Sequence, residues 1–305
     1  MQNVSVTRKG TRGLVPPRIY MLFARESQVA VLFRRGPSDW YQLIKWNTAN
    51  DSFESGQWFH GRLYERRSDL SPDGALLVYF AQKITGRTLK DTEYTYAWTA
   101  ISKPPFLTAL ALWPKGDCWH GGGLFLDNMH VELNHRSDVK NPHPHHKPLG
   151  VHVVLRKNVH GEDEPLYAER LERDGWKLQA EWIVEYLGYP EMYRMRQPEV
   201  REKSSPDGSL AIRLTRLIHG SDYSEVFTLI STEGDLLLPL DEASWVDWDQ
   251  QGRLVLARRG RITACALSDN GALTERVLAD LNSEMPHELQ SPVSAKTWEP
   301  ERAPL

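Results

Sequence analysis

Three observations predict that this 305-residue chain is all-β, a β-propeller of six blades, with five or seven as the other counts the spacing allows. A turn followed by a strand occurs twice in nearly the same words, as Ser71-Pro72-Asp73-Gly74 and as Ser205-Pro206-Asp207-Gly208. Weaker copies fall close to a fixed spacing, and turn residues punctuate short strand-like runs every 8–12 residues or so, the mark of an all-β chain. A repeat of roughly 40–50 residues holding about four strands is what a propeller blade requires. A β-sandwich, the competing all-β design, has no reason to repeat one turn at a fixed period.

The turn itself is set by local chemistry. Pro at the second position fixes φ, Ser at the first offers a local hydrogen bond, and Gly at the fourth relaxes the exit. In the first copy, residues 75–81 are apolar almost without a break, which suits a strand covered on both faces. In the second copy, Leu210, Ile212 and Leu214 alternate with Ala211, Arg213 and Thr215, which suits a half-covered strand.

Gly74 and Gly208 are 134 residues apart, about three spacings of about 45. The spacing predicts further copies near positions 119 and 163. Gly116 with Gly121-Gly122-Gly123 reads as one with a short insertion, and Gly161 to Tyr167 as a degraded one. Val246 to Ala257, with Gly252, is a clear copy downstream, and Glu26 to Phe33 is one upstream. Second strands follow at residues 41–46, 94–101, 226–230 and 262–267. Residues 179–187 and 244–248 read as strand or as short helical turns. The expected organisation is an N-terminal segment over 1–20, one propeller domain over 21–281 and a polar, proline-bearing tail over 282–305. Both ends are expected to be loose, with either able to supply a closing strand.

The repeated Ser-Pro-Asp-Gly units, each leading into an apolar strand, resemble the TolB-type (PD40, WD40-like) propeller repeats. The resemblance implies a circular scaffold with a central channel and faces built from loops. The middle third departs from that pattern. No Gly-His opening of true WD40 blades is present.

The formal net charge of −3 gives no global basic field for nucleic acid. No apolar run reaches membrane-spanning length, and the polar start with two distant cysteines, Cys118 and Cys265, leads us to expect a cytoplasmic protein with reduced thiols. Eleven tryptophans suit sheets that stack on one another.

Eight of the eleven histidines lie between His120 and His160, densest in Asn141-Pro142-His143-Pro144-His145-His146. Imidazoles at this density are candidate metal ligands, with His120, His130, His143 and His145 as the set to test. The alternative is a proline-stiffened surface loop whose extended backbone separates the rings. His120-Gly121-Gly122-Gly123 has the look of an oxyanion-hole loop, but no Gly-x-Ser-x-Gly partner exists. Asp73, Asp207 and Asp249 recur in phase with the repeat, and the turn chemistry assigns them to the turns. Trp40, Tyr41, Trp46, Trp58 and Phe59 read as blade packing, and Trp119 as the aromatic most open to solvent. The sequence therefore predicts a non-enzymatic scaffold without a cofactor. It would bind a protein or peptide on a loop face or at the channel mouth, with Trp119, His120, His143, His145 and His146 as the contact residues. The alternative is a hydrolase or lyase at the channel mouth, metal-dependent through the histidine-rich insert.

Overall fold

The computed structural model of the protein describes residues 15–157, 161–189, 192–219, 222–268 and 272–298. It is all-β, built from mainly antiparallel sheets.

The first sheet is a four-stranded meander of β1 (Arg18–Phe23), β2 (Val29–Arg35), β3 (Trp40–Asn47) and β4 (Ser52–His60). The second contains β5 (Arg62–Leu63), β6 (Asp69–Leu70), β7 (Leu77–Gln82), β8 (Ala97–Ser102) and β9 (Ala111–Pro114). Its order is β5-β7-β8-β9, with β6 also on β7. The third holds β10 (Gly123–Phe125), β11 (His130–Leu133) and β12 (His152–Leu155), and β11 and β12 run parallel. Helix α1 (Leu166–Arg173) follows, then β13 (Lys177–Ala180) and a separate hairpin of β14 (Ile183–Gly188) and β15 (Met192–Gln197). β16 (Glu199–Ser204), β17 (Leu210–His219), β18 (Asp222–Ser231) and β19 (Leu236–Pro239) make the fourth sheet, with β13 added beside β16. The fifth is a meander of β20 (Ala243–Trp248), β21 (Leu254–Arg258), β22 (Arg261–Leu267) and β23 (Leu273–Asp280), and a short helix α2 (Val293–Lys296) lies near the end.

The repeated turn joins the first two strands of a sheet. In the first full copy Gly74 N donates to Ser71 O at 2.8 Å, and the Asp73 carboxylate accepts from Ser71 Oγ at 2.7 Å and Ala75 N at 3.0 Å. The second copy repeats each bond, with Gly208 N to Ser205 O at 2.9 Å and Asp207 accepting from Ser205 Oγ and Ser209 N. Gly74 and Gly208 sit at φ +75° and +72°, where a side chain is strained. The Ser205 hydroxyl, with Ser209, holds the Asp207 carboxyl down to about 2, so this aspartate serves the turn. Asp249 takes the Ser position in its own copy and accepts from the N–H groups of Gln251 and Arg253.

One closing bond recurs at the entry of five sheets: Ala24 N to Val29 O, Ser71 N to Leu76 O, Leu126 N to His130 O, Ser205 N to Leu210 O and Asp249 N to Arg253 O. These turns are also neighbours. An added Cβ at Gly252 would lie 3.4 Å from Pro206. Gln250 Nε2 donates to the carbonyls of Ala24, Ser27 and Val29. Ser27 Oγ donates to Asp73 O at 2.8 Å, and Asp73 N to Asn128 Oδ1 at 2.9 Å. The row therefore runs from the fourth sheet to the fifth, first, second and third.

The cores follow the same order, because a strand alternates its side chains between two faces. Val31 and Phe33 pack with Leu77 and Tyr79 of the second sheet. Ala30 and Leu32 pack with Val255 and Ala257 of the fifth. Leu254 and Leu256 face Ile212, Leu214 and Leu229 of the fourth. Val78 and Ile101 face Phe125, Val131 and Leu133 of the third. Two-sided burial is what the unbroken apolar run at 75–81 called for.

The spacing argument misplaced two copies. Among the described residues between Gly74 and Gly208 one equivalent turn appears, at residues 126–130, where Asp127 accepts from the N–H groups of Met129 and His130. Gly123 is the first residue of β10, one strand before that turn, and the stretch after Gly161 enters α1. Between β12 and β16 the interval holds α1, β13 and the β14–β15 hairpin. Residues 179–187 and 244–248 are strand where they are ordered into elements. The tail expected to be loose is held over 282–298. Gln57 Nε2 donates to Leu289 O at 3.0 Å, and Trp298 Nε1 to Lys147 O at 3.0 Å. Residues 1–14 lie outside the described residues.

Candidate functional site

A cavity of about 490 Å³ opens where β1, α1, β16–β18 and β20 meet. Phe23, Trp176, Trp245 and Trp248 supply its aromatic walls, and Lys203, Asp247, Arg173, Asp174 and Arg25 its charged ones. The walls come from stretches far apart in the chain, at Phe23, residues 173–176, Lys203 and residues 245–248, so the whole is not visible as a motif.

Helix α1 builds one side. Leu166, Tyr167, Arg170 and Leu171 are its buried face. It ends with Gly175 N donating to Glu172 O at 3.1 Å and Trp176 N to Leu171 O at 2.8 Å. That double bond is a Schellman cap, which brings Trp176 back onto Leu171 in the core. The signal was in the sequence: apolar residues at helical spacing, then Asp174-Gly175 as a stop. Reading the stretch as a degraded turn copy concealed it.

Most ionised groups around the cavity are matched to one another, while Arg25 donates to Phe125 O at 3.0 Å. Lys203 Nζ lies 2.6 Å from Asp247, and burial pushes the Asp247 carboxyl upward against that attraction. Arg173 takes Asp69 through both nitrogens, at 2.7 and 2.9 Å, and holds Asp174 at 2.8 Å. Behind them, Glu225 accepts from Tyr167 Oη at 2.8 Å and pairs with Arg66 at 3.0 Å. Arg216 joins Glu199 at 3.0 Å and Glu164 at 2.5 Å. Arg170 donates to the Tyr20 hydroxyl at 2.5 Å, and burial pushes that hydroxyl up to about 12. The other arginine of this zone, Arg67, has a side chain with no exposure. It donates to Asp163 at 2.8 Å, Glu162 at 3.0 Å and the carbonyls of Cys118 and His120 at 2.7 and 2.9 Å.

The expected contact residues lie away from this cavity. Trp119 is 64% exposed, as expected, beside Asp117. His120 holds Gly161 O through its backbone N–H and its ring Nδ1. The histidine run is a sheet edge rather than a free loop: His143 N donates to Leu112 O at 2.7 Å and Leu112 N to His146 O at 3.1 Å, which extends β9. His143 is buried, stacks on Tyr94 with ring centres 4.2 Å apart, and reaches Glu93 at 3.1 Å. His146 Nδ1 meets Ala109 O, while His145 is exposed. His130 and His152 stand together on the third sheet, ring centres 5.1 Å apart. His160 lies outside the described residues. Among the described residues no three His, Cys, Asp or Glu side chains are grouped to hold a metal ion.

The glycine run makes no open oxyanion hole. Gly121 N donates to Asn134 O and Gly122 N to Thr99 Oγ1. A Cβ on Gly122 would collide with the Arg67 carbonyl, so glycine is there for packing. Cys118 sits against Gln82 and Tyr64, and burial pushes its thiol up, away from nucleophilic use. Trp46 and Tyr41 are core residues, and Trp40 stacks on His60.

His135 is fully buried within a hydrogen-bonded chain. Gly122 N–H donates to Thr99 Oγ1, which lies 2.7 Å from His135 Nε2, and Nδ1 lies 3.1 Å from Val139 O. The neutral tautomer with the proton on Nδ1 satisfies every member. Burial pushes this imidazole down to about 4. The folded state then binds fewer protons than the unfolded one between about pH 4 and 6.5, so the contribution is complete above about 6.5 and is lost on acidification. We expect this one site to remove on the order of 3 kcal/mol as pH falls from 6.5 to 4. Urea unfolding across that range should show a shallower pH slope for His135→Gln than for the wild type.

No helix among the described residues is long and apolar enough to cross a membrane. The chain matches no protein-family model and no curated protein.

Proposed function

We propose that the five sheets are blades of a closed β-propeller, and that the protein is a non-enzymatic scaffold holding a protein or peptide segment at the mouth of the central cavity. Five equivalent turns side by side, with cores shared along the row from the fourth sheet to the third, support an arc of blades, and α1 spans its two ends, with Glu169 on Arg156 after β12 and Tyr167 and Leu171 packed with Ile212 and Leu214 of the fourth sheet. β13 pairs with β16 on the edge away from β17, and α1 packs against β13, so in such a ring both would narrow the channel. The likeness of the Ser-Pro-Asp-Gly units to TolB-type repeats accords with this design.

The observation that carries the binding reading is the cavity wall itself. Tryptophan faces are the strongest anchors for a bound side chain. The carboxylates beside them are already matched in ion pairs, as Asp247 is to Lys203 and Asp174 to Arg173, whereas an acid–base catalyst needs a group poised to exchange a proton with substrate. A hydrolase or lyase remains the second reading on one observation, the Asp247 carboxyl pushed toward its protonated form inside the cavity.

Peptides selected from a displayed library on the wild-type protein provide the test. The double variant Lys203→Met with Asp247→Asn, which leaves no orphaned charge, and Trp248→Leu are expected to weaken the selected peptides by at least about tenfold. His145→Ala should leave them unchanged. Selected peptides that ignore both cavity variants would refute the reading. Turnover of a model ester or glycoside that is lost in Asp247→Asn would favour the second.

A further inference from the structure

We propose that His130 and His152 form a surface site for a divalent transition-metal ion, Cu²⁺ in preference to Zn²⁺. The two histidines are directly paired in the parallel register of β11 and β12, so both rings leave the same face of the sheet. Their ring centres are 5.1 Å apart with planes 24° from parallel. An ion about 2.0–2.1 Å from one nitrogen of each ring would lie roughly 3.2 Å from each ring centre, and a tetrahedral angle then sets the centres about 5 Å apart. The exposed His152 ring can turn to aim its lone pair at the point that His130 faces.

A second observation points to a ligand role. His130 Nδ1 lies 3.0 and 2.9 Å from the two Asp127 oxygens. Asp127 also accepts from the backbone N–H groups of Met129 and His130, which fix its carboxylate in place. A carboxylate fixed in this way keeps the imidazole proton on Nδ1 and leaves the Nε2 lone pair outward. This carboxylate–histidine arrangement raises ligand basicity and orients the ring at metal sites. Glu26, tied to the same turn through Asn128, adds negative charge nearby. With two protein ligands the coordination shell is completed by water, and imidazole ligands favour Cu²⁺ over Zn²⁺. The His143–His146 run takes no part.

The test is calorimetric titration of the full, untagged chain with Cu²⁺ and with Zn²⁺ at neutral pH. One saturable site with Cu²⁺ tighter than Zn²⁺ is expected. His152→Ala, at an exposed position, and His130→Ala, at a half-exposed one, should each weaken it at least about tenfold, and Asp127→Asn by about 10–100-fold. His145→Ala should have no effect. Absence of saturable binding, or binding untouched by His152→Ala, or binding lost in His145→Ala, would overturn the proposal.

Discussion

Replacing Arg67 by methionine is expected to lower the free energy of unfolding by about 3–5 kcal/mol. The guanidinium is wholly enclosed and serves four acceptors: the carboxylates of Asp163 and Glu162 and the carbonyls of Cys118 and His120. It lies over the rings of Tyr64 and Phe80, at 4.5 and 5.3 Å from their centres. Removing it leaves two part-buried carbonyls without this donor and leaves Asp163, which is one-third exposed, with Arg66 alone at 3.9 Å. The methionine matches the lost volume, so the loss reports the polar network rather than a void. Arg67→Lys should recover only part, because an ammonium cannot reach four acceptors spread about a planar fork. Urea unfolding gives the number. A loss below about 1 kcal/mol would mean that the network is worth no more than a surface pair.

Trp46→Ala is expected to cost about 3–5 kcal/mol, and Trp46→Phe much less. Trp46 is fully buried where the first and fifth sheets share a core. It is stacked 5.5 Å from Phe53, and Phe23 bridges it to Trp245 at 5.9 and 5.4 Å. Its indole nitrogen has no hydrogen-bond partner among the described residues, so phenylalanine forfeits packing area but no bond. If the two sheets hold each other, the alanine variant should also expose the amides of β1 and β20 together in hydrogen exchange. Faster exchange confined to β3 would contradict their mutual support.

The sequence made the repeated turn legible because its chemistry is local: Ser, Asp and Gly lie within four residues and close on one another. It made the two-faced strands legible through their unbroken apolar runs. It did not reveal the turn at Asp127, where a carboxylate does with two backbone N–H groups what Ser-Pro-Asp-Gly does with four residues. A count based on Gly74 and Gly208 therefore divided the interval evenly, although α1, β13 and a hairpin occupy part of it. The histidines attracted notice by density, yet two backbone bonds to Leu112 decide where His143 and His146 sit. The His130–His152 pair depends on a register that no spacing along the chain encodes. The cavity was the least visible feature, since Trp176, Lys203 and Asp247 converge from three separate elements.

A crystal structure of the protein with a peptide selected on it tests the central claim most directly. The expected result is five sheets about one axis, their entry turns in the order fourth, fifth, first, second, third, with a peptide side chain against Trp176 and Trp248. A peptide seated on the outer strands with the cavity unchanged, or first and fifth sheets that do not touch, would contradict it.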